Sequence, residues 1–265
     1  MRIGIRTDKA GLLDRLIHYV PAVWKLSDSQ VVDRSYSVVF GEEKPQARVR
    51  RFHLLYGDTH NLVRTESLED LLQIFESDLT AHLGSAAHQF CCVHAGVVGW
   101  KQFGIVFPGK SSSGKTTLVK EFLQRGGEYY SDELAIFDTD GLSHPFPRLL
   151  GIRQEANEKR ARLGAELLGG HLGISTIPVR FVIVTEFSPG SRWAPQVSSL
   201  GSAALALLSN SLSARYRPTQ TLQTIAKALS RALVVKSPRR DACIRHRDEP
   251  RAMPKRHRSE GLEPM

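Results

Sequence analysis

The stretch FGIVFPGKSSSGKTTLVKEFLQ, residues 103–124, holds a strand signal, a glycine-bounded loop and a helix signal in direct succession. Phe103 to Pro108 is an apolar run of strand length. Gly109-Lys110-Ser111-Ser112-Ser113-Gly114-Lys115-Thr116 then satisfies G-x-x-x-x-G-K-[ST] without a mismatch. Thr116 to Gln124 reads as a helix with Leu118, Val119, Phe122 and Leu123 on its buried side, stopped by Gly126-Gly127. Such a loop cradles phosphate because its glycines let backbone N–H groups and the positive helix end face the anion. Lys115 is then the bridge to the β- and γ-phosphates of ATP, and the Thr116 hydroxyl a ligand for Mg²⁺. The structural alternative is a serine-rich strand-to-helix loop without a ligand, and Lys110 is either a further phosphate contact or an exposed lysine.

Working outward, Cys91 to Trp100 (CCVHAGVVGW) reads as a strand joined to Phe103–Pro108 by a turn at Lys101-Gln102. Glu128 to Asp138 (EYYSDELAIFD) is a strand or a bent strand pair, followed by a hairpin turn at Thr139-Asp140-Gly141. The acids Asp132 and Glu133 precede the apolar residues Leu134 to Phe137, whereas an ordinary metal-orienting acid follows its apolar strand. Ligands gather at the carboxyl ends of strands. A short strand over Glu128 to Ser131 running toward the phosphates, then a bend, resolves the order, and the alternative is a solvated turn. Adjacent residues on a regular strand face opposite ways, so a bend is needed to bring both acids to the site. His94 sits in an apolar strand and on that pattern alone reads as a core histidine. Arg148 and Arg153 are either phosphate contacts or surface arginines. Arg180 to Phe187 is a buried strand, and helices are expected around 200–212 and 219–233.

The first 88 residues are read as a β-rich region with one amphipathic helix. Val31–Phe40, Arg51–Tyr56 and Asn61–Arg64 form an antiparallel meander across residues 32–65. Ser67 caps a helix whose Leu68, Leu71, Leu72, Phe75, Leu79 and Leu83 repeat at helical spacing, with Gly84 as its end. Residues 89–235 form the nucleotide-binding core, and the loss of apolar periodicity after Val235 makes 236–265 a flexible basic tail.

Composition is that of an ordinary globular chain of 265 residues: 41% hydrophobic, 24% charged, mean hydropathy −0.23. The net charge of +9 and pI near 9.7 suggest nucleic acid. Yet the tail holds nine basic and five acidic residues, leaving +5 to the other 235, without the arginine–aromatic alternation that would stack on bases, so nucleic acid is not the expected partner. Three cysteines, Cys91, Cys92 and Cys243, have neither a disulfide nor a CxxC metal spacing. No run of about 18 uncharged apolar residues exists, and the charged N-terminus lacks a signal-peptide core. The expectation is a cytoplasmic protein that does not enter membranes, with homo-oligomerisation left open.

Taken together, HAGVVGW (94–100), GKSSSGKT (109–116), RGGEYYSDELAIFD (125–138) and HPFPR (144–148) resemble the catalytic domain of HPr kinase/phosphorylase and the related HPr-kinase-like serine kinases, over about residues 90–210. The resemblance implies an α/β (α+β) fold shared with phosphoenolpyruvate carboxykinase, a mixed sheet around a P-loop, with ATP and Mg²⁺ bound. It implies that Asp132 is the base that deprotonates an acceptor serine, that Glu133 helps Thr116 to hold Mg²⁺, that Lys115 acts on the phosphates, and that His94 supports the base. Three features depart from the family: Glu133 stands where it has aspartate, its E-I-R-G signature is replaced by LLGIR (149–153), and residues 1–88 do not resemble its N-terminal domain. The expected activity is transfer of the γ-phosphate to a hydroxyl of a protein, peptide or small molecule. The alternatives are an ATP-binding regulatory module without transfer, and nucleic-acid binding through the tail.

Overall fold

A computed structural model describes residues 1–41, 51–109, 113–154, 157–187 and 190–239. Strand β1 (Ile3–Thr7) is followed by helix α1 (Ala10–Ile17) and strands β2 (Arg34–Val39), β3 (His53–Gly57) and β4 (His60–Thr65). They form a four-stranded sheet in the order β1-β2-β3-β4. The β2-β3-β4 meander is antiparallel, as expected, while β1 adds in parallel through the α1 crossover, a unit absent from the sequence expectation. Helix α2 (Leu68–Ala86) starts at Ser67, whose Oγ accepts from the Asp70 N–H at 3.2 Å. It passes through Gly84 rather than ending there. A side chain at Gly84 would meet Leu212, so the glycine serves close packing rather than helix termination.

Leu71, Leu72, Phe75, Leu79 and Leu83 of α2 are buried with Tyr36, Val38 and Leu55 of the meander. The same cluster takes in Cys92, Leu134 and Phe146, so one apolar core runs across residue 88.

The second part opens with β5 (Cys91–Trp100), β6 (Phe103–Pro108) and α3 (Lys115–Leu123). Strands β7 (Glu128–Ser131), β8 (Leu134–Phe137) and β9 (Leu142–His144) follow, then the hairpin β10 (Leu150–Gln154) and β11 (Asn157–Leu163). A short 3-10 turn at Ala165–Leu168 leads to β12 (His171–Leu172) and the long β13 (Ile177–Phe187). The chain continues through β14 (Gln196–Ser198), α4 (Leu200–Leu208), α5 (Pro218–Leu229) and β15 (Leu233–Arg239). The nine-stranded assembly is mixed: β6, β13 and β15 run parallel, while β5 is antiparallel to β6, β7 and β8.

Side chains alternate across the sheet. Val93, Ala95 and Val97 of β5 pack with Ala203 and Leu207 of α4 and Ile225 and Leu229 of α5. Val98, on the opposite face, packs with Val119 and Leu123 of α3. The arrangement is three-layered, with α3 on one face and α4 and α5 on the other.

Both closing helices are shorter than their apolar periodicity predicts. After α4 the chain turns to pair with β5, where the Leu212 N–H donates to Cys92 O (2.9 Å) and the His94 N–H to Asn210 O (2.8 Å). After α5 Leu233 and the β-branched Val234 and Val235 begin a strand. That strand continues beyond the expected tail boundary, because Lys236 to Arg239 remain paired with Val184 to Phe187 of β13. Residues 240–265, the rest of the expected tail, lie outside the described residues. No helix among the described residues is long and apolar enough to cross a membrane.

Candidate active site

Gly114 adopts φ +81°, the left-handed turn that glycine makes without strain, and directly precedes α3. Lys115 and Thr116 therefore lie in the first turn of that helix, where backbone N–H groups have no intrahelical acceptor. The Gly109 N–H donates to His94 O at 3.2 Å, tying the start of the loop to β5. Gly96 lets α3 approach: a Cβ there would come within 3.0 Å of Val119 Cγ2 and 3.6 Å of Lys115 Cβ. His94 is two residues from Gly96 and so shares the face on which α3 lies. Lys110, Ser111 and Ser112 lie outside the described residues.

The acidic pair reaches this face through two local devices. Tyr129 pairs with Val98, but Ser131 pairs with Val97, so β7 carries one extra residue, a β-bulge. A one-residue slip exchanges the faces of the residues beyond it. The register that joins Val97 to Ser131 and His94 to Leu134 sets Asp132 opposite Gly96, on the α3 side. The Ser131 Oγ then accepts from the N–H groups of Glu133 (3.2 Å) and Leu134 (2.9 Å), bending the chain between β7 and β8. The bent strand pair expected from the sequence is thus one line of pairing against β5, interrupted at the acids. Since β6 and β7 are both antiparallel to β5, their carboxyl ends share an edge.

The two carboxylates have different neighbours. Asp132 Oδ2 accepts from the Thr116 hydroxyl at 2.9 Å, and its Oδ1 accepts from the Tyr129 hydroxyl at 2.8 Å. Burial and the Asp132 charge push the Tyr129 hydroxyl well above its ordinary range, which keeps it a donor. Glu133 Oε2 accepts from Arg148 at 2.8 Å, while its side chain is 42% exposed.

Burial draws the Lys115 ammonium, on a residue only 7% exposed, below its ordinary value, against the opposing pull of Glu133 and Asp132. His94 is likewise lowered by burial. The Glu133 charge and a hydrogen bond to the Glu133 backbone act upward on it, and Lys115 and Arg148 act downward. Lys115, Thr116, Asp132, Glu133 and His94 are therefore gathered in one place, and His94 keeps company with Glu133.

Arg148 is neither a surface arginine nor open to a ligand as the sequence allowed: its side chain is 4% exposed and bridges Glu133 to α2. The side chain of Arg153 lies outside what the structure describes. Sequence reading also passed over Tyr129 and Ser131. A serine directly before an acidic pair is a local signal for a bend; nothing in the sequence marked Tyr129.

Thr116 and Asp132 are oxygen donors of the class Mg²⁺ takes, usually through one or two carboxylates together with phosphate and water. Among the described residues no group of three or more His, Cys, Asp or Glu side chains is set to hold a metal, and binding of that kind requires none. No family model matches the chain, and no curated protein matches it.

Proposed function

We propose that this chain is an ATP-dependent phosphotransferase of the HPr-kinase-like group, built on a P-loop core and acting on a hydroxyl acceptor, a serine of a protein or peptide in the first instance. The observation that carries the reading is the 2.9 Å bond between Thr116 and Asp132, beside the buried Lys115 at the start of α3. A buried lysine at the positive end of a helix calls for a polyanion. The loop amides and Lys115 bind the phosphates, and α3 orients them toward the acids. Thr116 and Asp132 would hold Mg²⁺, which supplies charge neutralisation on the phosphates when bound.

A carboxylate then takes the proton from the incoming hydroxyl oxygen as that oxygen forms its bond to the γ-phosphorus, while the bond from that phosphorus to the β–γ bridging oxygen breaks and its electron pair leaves on ADP. The resemblance gives this role to Asp132, with Glu133 at the metal. The contacts favour the exchange of the two roles: Asp132 is engaged by Thr116, and the half-exposed Glu133 has His94 beside it. The test compares Asp132→Asn with Glu133→Gln. Under the exchange, Glu133→Gln lowers transfer by about 10²–10⁴ and spares Mg·ATP affinity, while Asp132→Asn weakens Mg²⁺-dependent binding. The reverse pattern restores the assignment carried by the resemblance. Mg·ATP binding without transfer to any acceptor makes the chain a sensor instead.

A further inference from the structure

The Arg148 side chain joins two regions of the chain. It donates to Glu133 Oε2 at 2.8 Å. It also donates to Thr80 Oγ1 at 3.2 Å and lies 3.3 Å from Glu76 Oε1, both on α2. Glu76 is held in turn by Arg162 of β11 at 2.6 Å, and Arg162 lies over the Tyr19 ring, 3.9 Å from its centroid. Thr80 is fixed by donating to Glu76 O at 2.8 Å. Arg148 is further confined by Phe146, whose ring centre is 5.2 Å from the guanidinium carbon.

A guanidinium suits this place because its rigid planar fork holds two nitrogens apart, one toward α2 and one toward Glu133, a span that the compact ammonium of lysine does not match. Such an arrangement also costs desolvation, so stability alone is a weak reason for it. The acids have unequal surroundings: Glu76 is 17% exposed, whereas Glu133 is 42% exposed and opens to the site. Unaided, a half-exposed glutamate moves among rotamers. Arg148 selects one.

We propose that Arg148 is a positioning residue of the site: anchored on α2 by Glu76 and Thr80, it fixes the Glu133 carboxylate, so the N-terminal layer is a working part of the phosphotransfer machinery. This rests on the kinase reading. It assigns a function to α2, which on sequence has only a packing role.

Arg148→Ala would remove a buried side chain that bridges Glu133 to α2 and risks unfolding the chain, so the test uses Glu76→Gln and Arg148→Lys in the full-length protein. Glu76 is outside the site, yet Glu76→Gln should lower kcat by about tenfold, the scale for outer partners that orient a functional side chain, with KM for ATP changed less than about twofold. Arg148→Lys should show the same kcat loss although the charge is kept. In a Glu133→Gln background Glu76→Gln should have no further effect on kcat. A kcat loss of equal size in both backgrounds, or none in either, overturns the proposal. Where the wild type transfers phosphate to nothing, the kinase reading falls by itself, and the cycle is read on denaturant midpoints. Non-additive destabilisation by Glu76→Gln and Glu133→Gln then upholds the link through Arg148, and additive destabilisation overturns it.

Discussion

Replacing Lys115 with methionine should move stability and nucleotide affinity in opposite directions. Methionine keeps the unbranched stem that lies near Gly96, and its helix propensity is close to that of lysine, so packing and backbone terms nearly cancel. What disappears is a buried cation at a helix N-terminus, where the macrodipole disfavours positive charge by about 0.3–1 kcal/mol. Relief of desolvation adds to this gain, and loss of attraction to Glu133 and Asp132 subtracts from it. Burial is the larger influence on the ammonium, so the net expectation is a gain of about 1 kcal/mol, within the range for relieving an active-site compromise. For a chain of this size that is about 2–4 °C in Tm. Mg·ATP affinity should fall by about 2 kcal/mol, roughly 30-fold, on loss of a charge-assisted contact. Denaturant unfolding and titration calorimetry read the two quantities. A variant less stable by more than about 1 kcal/mol with unchanged Mg·ATP affinity would refute the reasoning, because Lys115 would then be a structural cation.

Gly141 sits at φ +82° in the β8–β9 turn, and a Cβ there would meet Ala228 N and approach Lys227 C to 2.7 Å; Gly141→Ala should therefore cost about 2–4 kcal/mol, seen as a lower denaturant midpoint. His94 and His82 are both held below their ordinary 6.5 by burial. The unfolded chain therefore takes up protons near pH 6.5 that the folded chain refuses, and stability should fall as pH drops through 6.5, by at most about 1.4 kcal/mol per pH unit for each histidine. His94→Gln should flatten that slope between pH 7 and 5.5, and an unchanged slope would show that His94 does not contribute. A chain ending at Val235 loses four residues of pairing with β13 and the Ser237 hydroxyl that accepts from the Ala194 N–H at 2.9 Å, so its Tm should drop, whereas a chain ending at Arg239 should keep Tm and nucleotide affinity.

Local pattern carried the centre of the fold into view. β5 and β6 are apolar runs joined by a short polar turn, and α3 is framed by glycine at each end, so their limits were legible almost to the residue. The kink at Asp132-Glu133 was legible because the two acids interrupt an otherwise continuous strand signal. What escaped was set by distant partners. β1 is five residues long with only two large apolar side chains, Ile3 and Ile5, and α1 has neither a capping side chain nor an acid in its first turn. The end of β15 contains Lys236 and Pro238, which argue against a strand by themselves, and its parallel pairing to β13 supplies what propensity lacks. At the site, the loop residues and acids stood out by spacing. The function of Arg148 did not, because Thr80 lies 68 residues away and nothing local separates a buried bridging arginine from a solvated one.

The central claim is phosphoryl transfer, and the most direct measurement follows the label. The full chain is incubated with Mg²⁺ and ATP labelled at the γ-phosphate, together with a lysate from its own source, and the products are separated as proteins, peptides and small molecules. The account predicts that label moves from ATP to a hydroxyl acceptor in the wild type and stays on ATP with Lys115→Met. A wild type that binds Mg·ATP yet labels no acceptor in any fraction, or a Lys115→Met variant that labels as fast as the wild type, would contradict it.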